Sequence, residues 1–185
     1  MSGLLEFIES LNSWGPQSRE LGLGTFQQSL GVPGLFPEDN CFLLEEGGRL
    51  RGFSLLFPEL PIGRFVLEMS IARDLEGTTQ ELELVRRSVD RARAIGARVA
   101  HICVAGNPSR AKMLEAEGFS RVRVYWDMVW SQDELPDQEV PPGFIVRSYQ
   151  PGDATDLTEA QNSAFEGSWG FCPNTVDQIE YRSQM

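Results

Sequence analysis

Apolar residues alternate with polar or smaller neighbours over residues 64–71, which is the period of a β-strand. Earlier in the chain, residues 41–46 and 49–57 are apolar runs on either side of Gly47 and Gly48. Such runs around two glycines predict a β-hairpin with a tight turn. The first part of the chain therefore predicts three strands of one sheet.

A helical period follows the third strand after a polar loop. Apolar residues from Leu82 to Ala92 recur at spacings of three and four, and a glycine stands where a helix would end, which predicts a helix over 78–95. Residues 98–104 then form a compact apolar strand. Because a strand, helix, strand order is typical of a parallel crossover, we expect 64–71 and 98–104 to lie side by side in the same direction.

The rest of the chain contains weaker patterns. Asn107 before Pro108 is typical of a helix N-cap and a first-turn proline, so a helix is predicted over about 109–117. Residues 122–130 alternate again and predict a final strand with one strongly apolar face. Further elements are helices over 3–13, 17–30 and 154–165, and a strand over 144–149.

These elements predict an α+β fold of the three-layer α/β kind, with a mixed central sheet and flanking helices. Residues 1–130 are expected to form the main domain, and the acidic, proline-bearing residues 131–142 have the composition of a linker. Residues 143–185 are too few for a substantial core of their own. They are either the start of a second domain or a strand and helix that pack on the first.

Composition narrows the classes of function. The formal net charge of −11 repels phosphate backbones and anionic headgroups, so we expect neither nucleic acid nor a membrane as partner. The three cysteines, Cys41, Cys103 and Cys172, are far apart and odd in number, which argues against a disulfide framework or a zinc site. No metal site is predicted, and a reducing cytoplasm fits best.

Residues 41–130 resemble the GNAT acetyltransferases in the order of their elements. The closest local similarity runs through residues 91–104, then Asn107-Pro108, then residues 117–119. Residues 144–165 are in turn similar to the opening strand and first helix of such a domain. The chain thus resembles a tandem protein of the mycothiol-synthase-like type with an incomplete second domain.

The resemblance implies a loop and a helix N-terminus that hold the pyrophosphate of acetyl-CoA. The family's loop pattern, Val-x-Pro-x-x-Arg-Gly-x-Gly-x-Gly, falls on residues 71–81, where only Gly77 is retained. Glu76 stands at the arginine position and Glu81 at the last glycine, and carboxylates there are expected to weaken cofactor binding. The cofactor residues implied are Ile71, Gly77, Thr78, Thr79 and Asn107.

The resemblance also implies catalytic roles. Glu68 stands where family members often place a carboxylate that deprotonates the amine. Leu114 replaces the usual tyrosine acid, and Tyr125 on the last strand could substitute only if that strand turns it inward. The sequence favours core positions for His101 and Cys103.

Several aromatic residues are open to two interpretations: they line a substrate cleft or a domain interface, or they simply pack. The segment 165–171 lies where family members often build the acceptor site. The aromatic residues to which these two interpretations apply are Trp126, Trp130, Phe144 and Trp169.

Three functions stay open at this point. The first is an N-acetyltransferase that moves an acetyl group from acetyl-CoA to a small amine. The second is a non-catalytic GNAT-like domain that serves as scaffold or ligand-binding half of a tandem acetyltransferase. The third is an unrelated α+β binding module. An incomplete second domain with exposed apolar edges is also expected to find cover from another chain, as in a homodimer.

Overall fold

The computed structural model describes residues 7, 23–104, 106–126, 128–131 and 140–184. The predicted helix over 3–13 lies outside this part of the chain except for Phe7. The regular elements are α1 (Leu23–Leu30), α2 (Pro37–Asn40), β1 (Cys41–Glu46), β2 (Arg49–Glu59), β3 (Arg64–Ile71), α3 (Thr79–Ala94), β4 (Val99–Ile102), α4 (Pro108–Ala116), α5 (Ala154–Phe165) and α6 (Val176–Ser183).

The four strands form one mixed sheet in the order β1-β2-β3-β4. The first three are antiparallel neighbours, whereas β3 and β4 are parallel and pair from Arg64↔Val99 to Leu67↔Ile102. Helix α3 connects these two strands and packs against the sheet. The predicted parallel crossover is therefore confirmed.

The hairpin turn shows why the chain has two glycines between β1 and β2. Gly47 and Gly48 both have positive φ, 59° and 76°. A type I′ turn needs positive φ at both central residues, and its twist matches that of the flanking strands. The predicted hairpin is confirmed at this turn.

Strand β2 lies in the middle of the core and is covered on both faces. On one face the hydroxyl groups of Ser54 and Ser88 of α3 are 2.9 Å apart and hydrogen-bonded. On the other, the ring of Phe53 contacts Phe26 of α1 edge-on, with centroids 4.6 Å apart, and Phe7 at 6.3 Å. Helical residues on both faces of the sheet give the predicted layered arrangement.

The buried side of α3 only partly matches the one that the spacing predicts, since Val85 and Ala92 are buried as expected. Leu82 and Val89 of the predicted set are only half-buried. In their place the helix buries Glu81, Leu84 and Ser88. The reason is that polar groups of this helix find partners inside the protein, which a count of apolar residues does not reveal.

Two predicted strands are absent. Residues 122–126 and 128–130, and also 144–149, have no regular secondary structure and pair with no strand among the described residues. An alternating pattern identifies a segment that suits a strand, but a strand forms only where a backbone partner is available. These predictions are wrong for the chain as it folds here.

The C-terminal segment contains the predicted helix α5 and one helix that the pattern analysis missed. Helix α6 begins with a capping box, in which Thr175 and Gln178 exchange side-chain to backbone hydrogen bonds. A threonine followed three residues later by glutamine is the signal that could have identified it. The hydroxyl of Tyr181 donates to the carbonyl of Gln28 at 2.8 Å, so α6 contacts the end of α1.

No helix in the described ranges is long and apolar enough to cross a bilayer.

Candidate functional site

The parallel strands separate at their carboxyl ends. Pairing stops at Leu67↔Ile102, whereas β3 continues to Ile71 and β4 ends. Glu68 is the first residue of β3 beyond the last pair, and its side chain is exposed. In sheets with parallel strands, the crevice outside the carboxyl ends is where ligands bind, so this end of the sheet is the candidate site.

A loop with one left-handed glycine leads from β3 into α3. Gly77 has a φ of 73°, and its N–H donates to Oε2 of Glu81 at 2.5 Å. Thr78 is the N-cap residue of α3, but its hydroxyl donates back to the carbonyl of Leu75 at 2.6 Å. The loop is therefore closed by a side chain from the first turn of its own helix.

Glu81 is fully buried, with none of its surface exposed. Its second carboxylate oxygen, Oε1, accepts a hydrogen bond from Nε of Arg110 at 2.5 Å, and the Arg110 side chain is only 14% exposed. A buried carboxylate needs such a partner, and the N-terminus of a helix favours a negative charge. The position where this helix would hold an anion is thus filled by the chain's own carboxylate.

The start of α4 is joined to the same loop. Asn107 caps α4, since its Oδ1 accepts the backbone N–H of Arg110 at 2.9 Å. Its Nδ2 donates to Oε2 of Glu76 at 2.8 Å. A Cβ on Gly77 would lie 3.2 Å from Cβ of Ser109, so glycine is also needed there for close packing. Two side-chain hydrogen bonds, Asn107–Glu76 and Arg110–Glu81, therefore join the start of α4 to the loop and first turn of α3.

The structure brings some of the predicted site residues together and leaves others apart. Gly77, Thr78 and Asn107 meet at the junction of α3 and α4. The side chain of Ile71 is buried in the core, and the hydroxyl of Thr79 bonds to its neighbour Gln80.

The aligned acid position carries no proton donor, and the candidate substitute, Tyr125, is largely exposed. Leu114 is buried in the core and is apolar. Tyr125 lies in the irregular segment after α4, is 69% exposed, and has the guanidinium of Arg123 5.7 Å from its ring centroid. The condition under which Tyr125 could serve, a strand that turns it inward, is not met here.

A second cluster lies on the sheet face that carries Arg64 and His101, at the start of β3 and on β4. Nη1 of Arg64 lies 3.4 Å from Nδ1 of His101, and Nη2 of Arg64 donates to the carbonyl of Gly170 at 2.5 Å. The imidazole stacks on Trp169. Burial, then the charge of Arg64, lower the pKa of His101. His101 is thus half-buried at a contact with the C-terminal segment.

Cys103 is exposed, because β4 ends one residue before it. The expectation that it is a buried residue is therefore wrong. Arg64 and Arg110 are the site residues that sequence reasoning missed, since nothing local marks an arginine whose partner lies far along the chain.

No family model and no curated protein matches the sequence. Solved structures do match. A transcriptional regulator from Bacillus halodurans C-125 superimposes with a TM-score of 0.53 at 14% identity, covering 70% of this chain and 94% of that one. A putative acetyltransferase from Agrobacterium tumefaciens str. C58 gives 0.51 at 20% identity, covering 70% and 92%. Likeness at this identity establishes the fold, so the predicted α+β class with a GNAT-like sheet is confirmed.

Proposed function

We propose that this chain is a non-catalytic domain with the acetyltransferase fold, and that it serves as the scaffold half of a tandem N-acetyltransferase acting on a small amine. One observation carries the proposal: the carboxylate of Glu81 fills the anion position at the start of α3, where it bonds to Gly77 and Arg110.

The physical argument concerns the pyrophosphate of acetyl-CoA. It would need the N–H of Gly77 and the positive end of α3, and both are already used by Glu81. Removing Glu81 from Arg110 breaks a buried ion pair, which costs about 3–5 kcal/mol. That cost lowers affinity by roughly two to four orders of magnitude. If Glu81 stayed in place, its carboxylate and the pyrophosphate of acetyl-CoA would lie close together in a buried site, where like charges repel strongly.

The acid that acetyl transfer requires also supports a non-catalytic role for this domain. The resemblance places the acid that protonates the leaving thiolate at Leu114, which is apolar and buried. Tyr125 is 69% exposed and lies in a segment that joins no strand among the described residues. A domain without this acid and with a closed cofactor loop is better suited to supporting a partner domain than to catalysis.

Calorimetric titration of acetyl-CoA into the 185-residue protein tests the proposal. We expect no saturable heat up to millimolar cofactor. Glu81→Gly should introduce binding, because it frees the N–H of Gly77 and the guanidinium of Arg110. Glu83→Gly is the matched control: it makes the same change on the exposed side of the same helix and should not introduce binding. Saturable micromolar binding by the unaltered protein overturns the proposal, whatever the variants do.

A second function is favoured by one specific feature. Glu68 lies just past the last β3–β4 pair and is exposed at the candidate crevice, as a base for acetyl transfer from acetyl-CoA to a small amine would require. An acetyl-transfer assay with a panel of amines distinguishes this function from the first. If it is correct, Glu68→Gln abolishes transfer, whereas Glu45→Gln, which changes an exposed carboxylate on β1, does not.

A further inference from the structure

Two segments after α4 expose their apolar side chains. They are residues 122–126 with 128–130, and residues 144–146, and together they are called here the apolar strip. Trp126, Met128 and Ile145 are 86%, 93% and 89% exposed. An isolated exposed apolar residue needs no explanation, but monomeric proteins rarely expose large contiguous apolar patches.

The area of the strip is comparable to that of a protein interface. Its four aromatic residues, Tyr125, Trp126, Trp130 and Phe144, are between 55% and 86% exposed. At roughly 200 Å² for each side chain, they present on the order of 600 Å² to solvent. Met128, Val129 and Val146 add to this area, since each is more than 80% exposed. A stable interface needs about 800 Å² from each partner, which the strip can supply.

Within the described part of the chain, the strip also joins no β-sheet, and Phe144 only donates its N–H to the nearby carbonyl of Pro141 at 3.1 Å. Residues 122–126, 128–130 and 144–149 match the sequence pattern of strands, yet they join no ladder in the described ranges. In the same ranges β4 pairs on one side only, with β3, and so presents an open edge. An open edge and an unpaired strand-like segment are complementary, because each offers N–H and C=O groups that the other can satisfy.

We propose that two copies of this chain associate through the apolar strip, with residues 144–149 of each copy adding to the open edge of β4 in the other. A second copy brings both of the required parts, an open edge and a segment with the sequence pattern of a strand. Each copy gives its segment to the β4 edge of the other, so the two copies form a closed symmetric dimer. No β4 edge is then left open to bind a third copy. The dimer buries the aromatic side chains of both strips.

The charge of the chain argues against two alternative partners. With a formal net charge of −11, the protein repels anionic membranes and nucleic acid. The same charge opposes self-association at low salt, so dimerisation is expected to strengthen as salt screens it. Association of two copies does not depend on acetyl-CoA, and it can therefore succeed or fail independently of the proposed function.

Analytical ultracentrifugation of the full chain at 0.15 M salt tests the inference. We expect a concentration-dependent dimer at twice the monomer mass. Met128→Lys and Ile145→Lys should each raise the dissociation constant at least tenfold. Both side chains are almost fully exposed, so these variants should fold normally, as circular dichroism can verify. Leu43→Lys is the control, because Leu43 is exposed on β1, at the opposite edge of the sheet.

Hydrogen exchange then tests the pairing itself. Amides of 99–102 and 144–149 should become more protected as the dimer forms. Three results overturn the proposal: a monomer at 100 µM and above, a dimer that both lysine variants leave intact, or a dimer in which those amides stay unprotected. Binding of the monomer to zwitterionic vesicles, lost in Met128→Lys, would assign the strip to a lipid surface and likewise overturn it.

Discussion

The imidazole of His101 lies parallel to the indole of Trp169, with ring centroids 5.4 Å apart and an angle of 5° between the planes. This contact joins β4 to the loop between α5 and α6. Beside it, Arg64 forms an ion pair with Glu59 and donates to the carbonyl of Gly170. The C-terminal segment is therefore attached to the sheet by a ring stack and a charge-assisted hydrogen bond.

Trp169→Ala is expected to loosen this attachment. The loss of the stacked pair should lower the free energy of unfolding by about 1 kcal/mol. Hydrogen exchange of residues 165–184 should increase, while that of the β1–β2 hairpin should not. Trp169→Phe keeps an aromatic ring against His101 and should retain most of the protection. Equal exchange in Trp169→Ala and the unaltered protein would show that the stack does not hold the segment.

The stability of the fold should fall as pH falls below the ordinary His101 pKa of 6.5. Burial and Arg64 lower the pKa of this imidazole in the folded protein. The unfolded chain therefore binds more protons just below pH 6.5, so protonation favours unfolding. The guanidinium of Arg64 can only donate, so its contact with Nδ1 of His101 at 3.4 Å requires that this nitrogen carry no proton. Glu59, from β2, partly opposes the shift.

Denaturant unfolding at pH 7.5 and 5.5 measures this dependence. His101→Phe keeps the stack on Trp169 but has no titrating group, so its loss of stability between the two pH values should be smaller. An identical pH dependence in both proteins would assign it to other groups.

The buried pair Glu81–Arg110 should show strong coupling in a double-mutant cycle. Glu81→Ala and Arg110→Ala each leave a buried charge without its partner, at a cost of about 3–5 kcal/mol. The double variant should lose much less than the sum, because no lone charge remains. Glu83 and Arg87 form an exposed pair at 2.8 Å on the same helix, and their cycle should give only about 0.3–0.5 kcal/mol. Similar couplings for the two pairs would contradict the proposed role of burial.

Asn107→Ala should remove both the cap of α4 and the bond to Glu76. The loss of an N-cap alone costs about 1 kcal/mol. Asn107→Asp keeps an acceptor for the cap but places a second carboxylate beside Glu76, so it should recover only part of that stability. Thermal unfolding of the three proteins provides the measurement. Full recovery in Asn107→Asp would show that the contact with Glu76 is unimportant.

Local patterns in the sequence determined the framework of this protein. Strand β3 has the predicted bounds, and α3 spans residues 79–94 against a prediction of 78–95. The parallel crossover also follows from the order of elements. These features were predictable because strand and helix periods, turn glycines and caps act between residues that are neighbours in the chain.

Only the tertiary structure decided the state of the candidate site. Glu81 meets Arg110 across 29 residues, and Asn107 meets Glu76 across 31. The sequence placed Glu81 near the anion position but could not show that its charge is buried and paired. Nor could it show that residues 122–126 and 128–130 pair with no strand in the described ranges, since pairing depends on which backbone edges meet in the folded chain. Contacts between distant residues depend on three-dimensional packing, which periodicity does not record.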